Sequence, residues 1–259
     1  MSVVHFYKYQ AAGNDFLLVD NRDGQYTFSN EQISELCHRR FGIGADGIIL
    51  LNRDPRTDFQ MVYHNADGSL GFCGNGCRAI VHFANLLGMI GSKATFTAYD
   101  GAHGAEILDD GSIRISVSDV KTIEQKSKDD FFINTGTEHH VRFVKDLDHF
   151  PVVEEGRKIR YSAEYPRGTN ANFVELLPNN QVAFRIYERG VEDETLSSGS
   201  GATACALVSA QQYKLSSPVL LKARGGFLLV EFQMRQDGTF SNIYFTGPAQ
   251  LVFETRLEV

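Results

Sequence analysis

The sequence lacks the features that would place the protein in a membrane, on nucleic acid or outside the cell. No stretch approaches the roughly 18 apolar residues of a membrane-spanning helix. The opening "MSVVHFYKYQAAGND" has no long apolar run of the kind that directs export. The net charge is −7 and there is no long basic run, so neither nucleic acid nor an anionic membrane is an expected partner.

Cysteine and histidine are too few, or wrongly spaced, for a disulfide framework or a common metal site. Four cysteines in 259 residues do not make the disulfide-rich pattern of small secreted proteins. Cys73 and Cys77 are four positions apart, unlike the usual Cys-x2-Cys metal spacing, and no His-Glu-x-x-His pattern occurs. We therefore expect a reduced, metal-free, cytoplasmic protein.

The chain does contain enough apolar residues for a sizeable core. Hydrophobic residues make up 42% of the sequence and charged residues 22%, which is typical of a globular protein. The length suits one large domain or two of ordinary size.

Two glycine-rich segments, each opening a helix-like run, indicate an internal repeat. "FCGNGCRA" (72–79) and "SSGSGATA" (197–204) align when Cys73 is placed on Ser198, 125 positions later. A glycine turn precedes each of these two residues, Gly13 by 60 positions and Gly136 by 62. Strand and Asp-Gly-turn patterns follow both segments. Chance recurrence of glycine turns in a β-rich protein is the alternative interpretation.

The repeat predicts two similar halves, residues 1–118 and 119–259, joined by a polar stretch at 118–130. Each half is expected to wrap several strands around one helix that is buried almost all round. Ser29 and Gln32 have capping-box spacing and predict a further helix.

Cysteine at a helix start combines an anion-binding site with a proton-transfer group. The first turn carries unpaired N–H groups and partial positive charge, and glycine allows close approach of a carboxylate. The same environment favours thiolate, which makes Cys73 a better base than a free thiol. Two such starts facing one cleft could remove an α-proton on one side and deliver one on the other, inverting a stereocentre without a cofactor. The three remaining cysteines are expected to be buried and inert: Cys37, Cys77 and Cys205.

Six motifs resemble the diaminopimelate epimerase family of the proline racemase-like superfamily. They are "GNDF", "GIGADG", "NADGS", "CGNG", "YERGVEDETL" and "GSGATA", and the similarity runs from "KYQAAGNDF" to "YFTGPA". The resemblance implies an α/β (α+β) fold with two pseudo-symmetric domains. Each would be a β-barrel-like sheet around a central helix, with the active site in the cleft between them. The last strand, near residues 250–259, would pack on the first half.

The resemblance also implies an activity. Members of the family interconvert L,L- and meso-diaminopimelate without a cofactor, for lysine and peptidoglycan synthesis, using one cysteine from each domain. The expected partner is therefore a small amino-acid substrate. A homodimer is left open.

By the same resemblance, Cys73 is one catalytic residue and Ser198 stands at the position of the other. His139 matches a histidine near the catalytic residues and is a candidate for tuning their pKa, although an ordinary strand or loop histidine is the alternative. Arg189 suits a substrate carboxylate, and Glu188 suits an ammonium group or the tuning of a base. Each asparagine could instead be a turn residue. The substrate-binding positions implied are Asn14, Asn65, Gly74, Asn75, Asn170, Glu188, Arg189, Gly199 and Ser200.

The sequence departs from the family pattern at several positions. Ser198 replaces the second cysteine, Thr137 and Glu138 replace the usual Asn-Pro or Ser-Pro, and Gly47 lies where glutamine is frequent. The segment "DGSLGFC" is one residue shorter than usual before the first cysteine.

Serine does not ionise near neutral pH and needs an adjacent base, which the sequence does not identify. Three interpretations stay open: an engineered Cys→Ser change in an ordinary epimerase, a natural divergent epimerase, racemase or dehydratase for another amino acid, or a binding protein without turnover.

Overall fold

The computed structural model describes residues 3–259, which form two compact units. The first comprises the described part of Met1–Ile115 together with Gly247–Val259, and the second comprises Ser116–Thr246. The elements up to residue 117 are β1 (Val3–Ala11), β2 (Asn14–Asp20), α1 (Asn30–Cys37), β3 (Gly47–Asn52), β4 (Phe59–Asn65), β5 (Leu70–Gly71), α2 (Gly74–Leu86), β6 (Lys93–Ala98), β7 (Gly101–Ile107) and β8 (Ile113–Val117).

The elements of the remaining chain repeat this order. They are β9 (Ile123–Gln125), β10 (Asp130–Asn134), β11 (Glu138–Phe143), the 3-10 helix Leu147–His149, α3 (Val152–Arg160), β12 (Asn170–Leu177), β13 (Gln181–Glu188), β14 (Asp193–Thr195), α4 (Gly199–Tyr213), β15 (Val219–Ala223), β16 (Gly226–Met234), β17 (Phe240–Gly247) and β18 (Gln250–Glu258).

The first unit is a sheet around α2. The strands β1, β2, β3, β4, β6, β7 and β8 neighbour one another in that order, and the successive pairings are antiparallel, parallel, antiparallel, parallel, antiparallel and antiparallel. The C-terminal strand β18 pairs antiparallel with the free side of β1. Helix α2 packs against β1, β2, β3, β4 and β7, and ten of its residues are buried.

The second unit has the same topology around α4. The strands β10, β11, β12, β13, β15, β16 and β17 follow one another with the same succession of antiparallel and parallel pairings. Helix α4 packs against β10, β11, β12, β13, β15 and β16, and its first twelve residues are all buried except Ser200. The predicted fold class, a mixed α/β protein with two pseudo-symmetric domains, is confirmed.

Local sequence accounts for where the helices begin. The Ser29 hydroxyl accepts a hydrogen bond from the backbone N–H of Gln32, and the backbone N–H of Ser29 donates to the side-chain oxygen of Gln32, so the predicted capping box is present. The N-caps of α2 and α4 are Cys73 and Ser198, both with extended backbone. Each of the two glycine-rich segments therefore contains the start of a helix, as the sequence predicts.

Residues 3–259 contain neither a membrane-spanning helix nor a cluster of metal-binding side chains. No helix is long and apolar enough to cross a membrane. No group of three or more histidine, cysteine, aspartate or glutamate side chains lies together as a set of metal ligands.

Candidate active site

Cys73 lies at the N-terminus of α2 with hydrogen bonds on two sides of its sulfur. The backbone N–H of Gly76 donates to Sγ at 3.4 Å, and Sγ donates to Oδ1 of Asn14 at 3.4 Å. The first contact stabilises thiolate, whereas the second is made only by the thiol. Cys73 is partly exposed, and the other three cysteines are buried as predicted. Of the four thiols, Cys73 is therefore the one that a ligand can reach.

The Asn14 amide is oriented by a carboxylate. Its Nδ2 donates to Oδ2 of Asp46 at 2.5 Å, and because a carboxylate only accepts, Oδ1 must point toward the sulfur. Arg39 donates to the other oxygen of Asp46 at 2.8 Å. Asn75 adds a donor to the same Asn14 oxygen at 3.3 Å. Asp46 is the fifth residue of the "GIGADG" motif, and no separate sequence signal indicated its role.

A buried arginine holds the start of α2. Arg78 is fully buried, donates from Nη2 to Oδ1 of Asn75 at 3.0 Å, and donates from Nε to the carbonyl of Pro248 at 3.1 Å. Burial lowers the pKa of Arg78 to about 10, above neutral pH, so the group stays charged. The contacts join Asn75, a predicted binding residue, to the chain just before β18.

Asn65 is the last residue of β4, just before the turn to β5. Its Nδ2 donates to the carbonyl of Ser69 at 3.2 Å and to the Ser69 hydroxyl at 3.1 Å. Gly47 begins β3, and a Cβ there would lie 2.5 Å from the ring of Tyr63, so the ring occupies the space of a longer side chain. The glutamine that is frequent at this position has no room beside Tyr63 in this chain.

In the second unit, Ser198 occupies the helix start of α4. The N–H of Gly201 donates to its Oγ at 3.2 Å, and Oγ of Ser200 lies 3.4 Å away. A Cβ at Gly201 would lie 2.7 Å from Oδ1 of Asn172, so glycine is required for α4 to approach β12 this closely.

His139 is completely buried behind this helix start. Its Nε2 lies 2.8 Å from the hydroxyl of Thr137, and its Nδ1 lies 3.1 Å from Nδ2 of Asn172. Burial, together with the charge of Arg189, lowers the pKa of His139 to about 3. The imidazole is therefore neutral at physiological pH. Asn172 was missed from the sequence, where its only signal is a polar residue among apolar neighbours in β12.

Arg189 follows β13 and is held in place by its neighbours. The side chain of Asn170 accepts from the Arg189 backbone N–H at 2.9 Å and donates to the carbonyl of Glu138 at 3.1 Å. The Glu138 carboxylate contacts the Arg189 guanidinium at 3.3 Å and also pairs with exposed Arg167 at 2.5 Å. Two arginines against one carboxylate leave a net positive charge at this position.

Glu188 precedes Arg189 at the end of β13. Its carboxylate accepts a hydrogen bond from the hydroxyl of Thr195 at 2.6 Å. The second unit thus brings together Ser198, Ser200 and His139 at the start of α4, and Asn170, Glu188 and Arg189 at the strand ends.

Solved structures share this fold at low sequence identity. A phenazine biosynthesis protein of the PhzF family from Bacillus anthracis matches with a TM-score of 0.78 and 13% identity over 100% of both chains. A hydroxyproline epimerase from Agrobacterium vitis matches with a TM-score of 0.69 and 14% identity over 98% of this chain and 92% of its own. The chain thus shares its fold with both of these proteins.

The sequence comparisons are more specific than the fold. The family described as diaminopimelate epimerase matches residues 6–123 and 131–252. The diaminopimelate epimerase of Flavobacterium psychrophilum is 47% identical over 97% of this chain and 99% of its own, and that of Chlorobaculum tepidum is 41% identical over 93% and 96%. The chain belongs to the diaminopimelate epimerase family, as its motifs predicted.

Proposed function

We propose that the chain is an isomerase that interconverts L,L- and meso-diaminopimelate by proton transfer at one α-carbon. The observation that carries the proposal is the partly exposed thiol of Cys73 at a helix N-terminus, beside the Gly76 amide and the Asn14 side chain. Near-full-length identity of 47% to a diaminopimelate epimerase supports this substrate over another amino acid.

In the proposed reaction, backbone amides of the two helix starts bind the α-carboxylate. Gly74 and Asn75 contribute from α2, and Gly199 and Ser200 contribute from α4. The N–H groups of the first helical turn and the helix dipole attract an anion at such a place. They also stabilise the negative charge that moves onto the carboxylate when the α-proton leaves.

Cys73 and Ser198 then serve opposite faces of the same carbon. Thiolate at Cys73 removes the proton from one face, and the Ser198 hydroxyl gives a proton to the other face. The reverse reaction uses the same groups in reverse. No step requires a cofactor or metal, because the enzyme supplies both protons and charge stabilisation.

The rest of the substrate is recognised by charge and hydrogen bonding. Arg189 is proposed to bind a substrate carboxylate, because guanidinium matches carboxylate geometry and the two neighbouring arginines outnumber Glu138. Glu188 is proposed to bind an ammonium group. The side-chain amides of Asn14, Asn65 and Asn170 are the remaining proposed binding groups. Some of them act by holding the other binding residues in place.

Two further expectations accompany this function. We propose that the enzyme works in the cytoplasm, where its four free cysteines stay reduced. We also propose a homodimer, supported by exposed apolar side chains along β18: Val252, Phe253 and Leu257.

The experiment is incubation with L,L-diaminopimelate in deuterated water, followed by NMR. The expected result is α-deuterium together with meso product. Binding of the amino acid without any deuterium would instead identify a binding protein. If the amino acid does not bind and no deuterium is incorporated, the substrate is a different molecule.

A further inference from the structure

The repeat places corresponding residues beside the two helix starts. In the parallel pairings that follow the first hairpin of each unit, Phe16 opposes Gly47 and His139 opposes Asn170. His139 therefore corresponds to Phe16. Two positions earlier, Thr137 corresponds to Asn14, and on the helices Ser200 corresponds to Asn75.

The same pairs of positions touch in both units, but the chemistry differs. Asn75 donates to Asn14 at 3.3 Å, whereas Thr137 donates to Ser200 at 3.2 Å. In the second unit this contact extends in both directions. Ser200 lies 3.4 Å from Ser198, and Thr137 lies 2.8 Å from Nε2 of His139.

These contacts form a hydrogen-bond chain that runs His139–Thr137–Ser200–Ser198. Asn172 determines the direction in which its protons are donated. Its Nδ2 donates to the carbonyl of His140 at 2.9 Å, and because a carbonyl only accepts, the orientation of the amide can be assigned. The same Nδ2 lies 3.1 Å from Nδ1 of His139, which must then be an acceptor. Burial keeps the ring neutral, so its one proton is on Nε2.

The position of that proton determines the donor and the acceptor of each following hydrogen bond. Nε2–H of His139 donates to Thr137, the Thr137 hydroxyl donates to Ser200, and the Ser200 hydroxyl is left to donate to Ser198. The Ser198 oxygen also receives the N–H of Gly201 at 3.2 Å. The Ser198 proton therefore points away from both donors.

We propose that Thr137 is a positioning residue that, through Ser200, holds the Ser198 hydroxyl as the proton donor of the epimerisation. This inference rests on the proposed function. In the step, the electron pair on the α-carbon forms a C–H bond with the Ser198 proton, the Ser198 O–H bond breaks, and the alkoxide keeps its electron pair. Water then returns a proton to the alkoxide, and the hydroxide that remains takes the proton that Cys73 removed, which restores water and the Cys73 thiolate.

The one-way chain stabilises that alkoxide. Both hydrogen bonds to Ser198 strengthen when their acceptor becomes charged, and each donor in the chain is polarised by the one behind it. The hydrogen-bond chain offers no acceptor for the Ser198 proton, since Nε2 of His139 already carries a proton and Nδ1 of His139 accepts from Asn172. Ser198 is thus a donor without an adjacent base.

The test compares exchange with inversion for diaminopimelate in deuterated water. Thr137→Val keeps the shape and removes the hydroxyl. We expect it to slow inversion about 3- to 10-fold, the effect of losing one hydrogen bond, while exchange through Cys73 continues at the parent rate. Thr137→Ser should restore inversion. Thr203→Val is the matched control, because the Thr203 hydroxyl donates to Gly199 within α4 and lies outside the chain.

Equal losses of exchange and inversion in Thr137→Val, or no loss of either, would overturn the proposal. A second measurement applies even if the parent has no activity on diaminopimelate, in which case the proposed function has failed. In ¹⁵N NMR of histidine-labelled protein, the His139 ring should carry its proton on Nε2, and Thr137→Val should shift that proton resonance. A proton on Nδ1, or an unshifted resonance, would contradict the proposed direction of the hydrogen-bond chain.

Discussion

The starts of α2 and α4 have nearly the same backbone and different side-chain chemistry. Cys73 has φ −140° and ψ 109°, and Ser198 has φ −144° and ψ 128°. Each side chain accepts the N–H of the residue three positions later, at 3.4 Å and 3.2 Å respectively. The backbone geometry of the helix start and its cap hydrogen bond are therefore repeated in the two units.

The surroundings of the two caps are not repeated. The Cys73 sulfur faces Asn14, which is oriented by the charged pair Asp46–Arg39. The corresponding polar contacts of Ser198 lead to the buried, neutral ring of His139. Under the proposed function, the duplicated fold fixes the helix-start positions of the two proton-transfer groups, and we infer that a few neighbouring side chains determine how readily each one exchanges protons.

The largest expected effect is from Cys73→Ala. Loss of the thiol removes the group that starts the reaction, so α-proton exchange and inversion should both fall by about 10² to 10⁴. Exchange is measured by NMR in deuterated water. Cys205→Ala, which removes a buried thiol from α4, is the control and should retain activity. Undiminished exchange in Cys73→Ala would remove Cys73 from the chemistry.

Ser198→Cys should make the two helix starts alike. A thiol at a helix start is partly ionised near neutral pH, whereas a hydroxyl is not, so inversion should rise about 100-fold. Ser209→Cys makes the same change at a buried position further along α4 and should leave the rate unchanged. Failure of Ser198→Cys to invert faster, with fold and binding intact, would indicate that the reaction has diverged, with Thr137 and Glu138 the first positions to study.

His139 should make the second unit sensitive to acid. Its folded pKa of about 3 lies below the ordinary value of about 6.5, so between these values the unfolded chain binds more protons. The free energy of unfolding should therefore fall by about 2 kcal/mol from pH 7.5 to pH 5 on account of this residue.

Urea unfolding at the two pH values measures this loss, and His139→Gln should remove it. His149→Gln is the control. The pKa of exposed His149 is raised by its hydrogen bond to Asp146, so its contribution has the opposite sign and disappears as pH rises. An unchanged pH dependence in His139→Gln would mean that the ring is not held neutral.

Arg189→Gln should weaken substrate binding more than it slows chemistry. A lost charge-assisted contact to a carboxylate corresponds to about a 10-fold increase in KM, with kcat nearly unchanged. Steady-state epimerisation kinetics give both values. Arg235→Gln changes an exposed arginine of the same unit and should alter neither. A fall in kcat at constant KM would contradict the binding role.

The smallest effect is expected from Asp46→Asn. A neutral amide at position 46 can donate as well as accept, so Asn14 can turn its NH2 toward the Cys73 sulfur and stabilise thiolate. Alkylation of Cys73 by iodoacetamide at neutral pH should become about 3- to 5-fold faster. Asp110→Asn, in the exposed turn before β8, should not change the rate. Slower alkylation would contradict the assigned orientation of Asn14.

Much of the fold was readable from the sequence because it depends on local signals. Glycine spacing revealed the repeat, and the capping box and the N-caps of α2 and α4 depend on residues within one turn of each other. The family motifs supply the site positions that we propose. The C-terminal partner of β1 required the resemblance, since the two strands are separated by the whole chain.

The network around Ser198 was not readable from the sequence. Thr137 and Ser200 are 63 positions apart, and Asn172 is 33 positions from His139. No local pattern indicates that these side chains meet. The direction of the hydrogen bonds depends on one backbone carbonyl, that of His140, which no sequence motif specifies.

The most direct test of the difference between the two helix starts is α-proton exchange by the parent enzyme, measured separately from L,L- and from meso-diaminopimelate at the centre that is inverted. From the isomer whose α-proton faces Cys73, deuterium should enter the starting isomer faster than inverted product forms. From the other isomer, deuterium should appear only in the inverted product. Equal exchange without inversion from both isomers would contradict the account, because it would require Ser198 to remove protons as readily as Cys73.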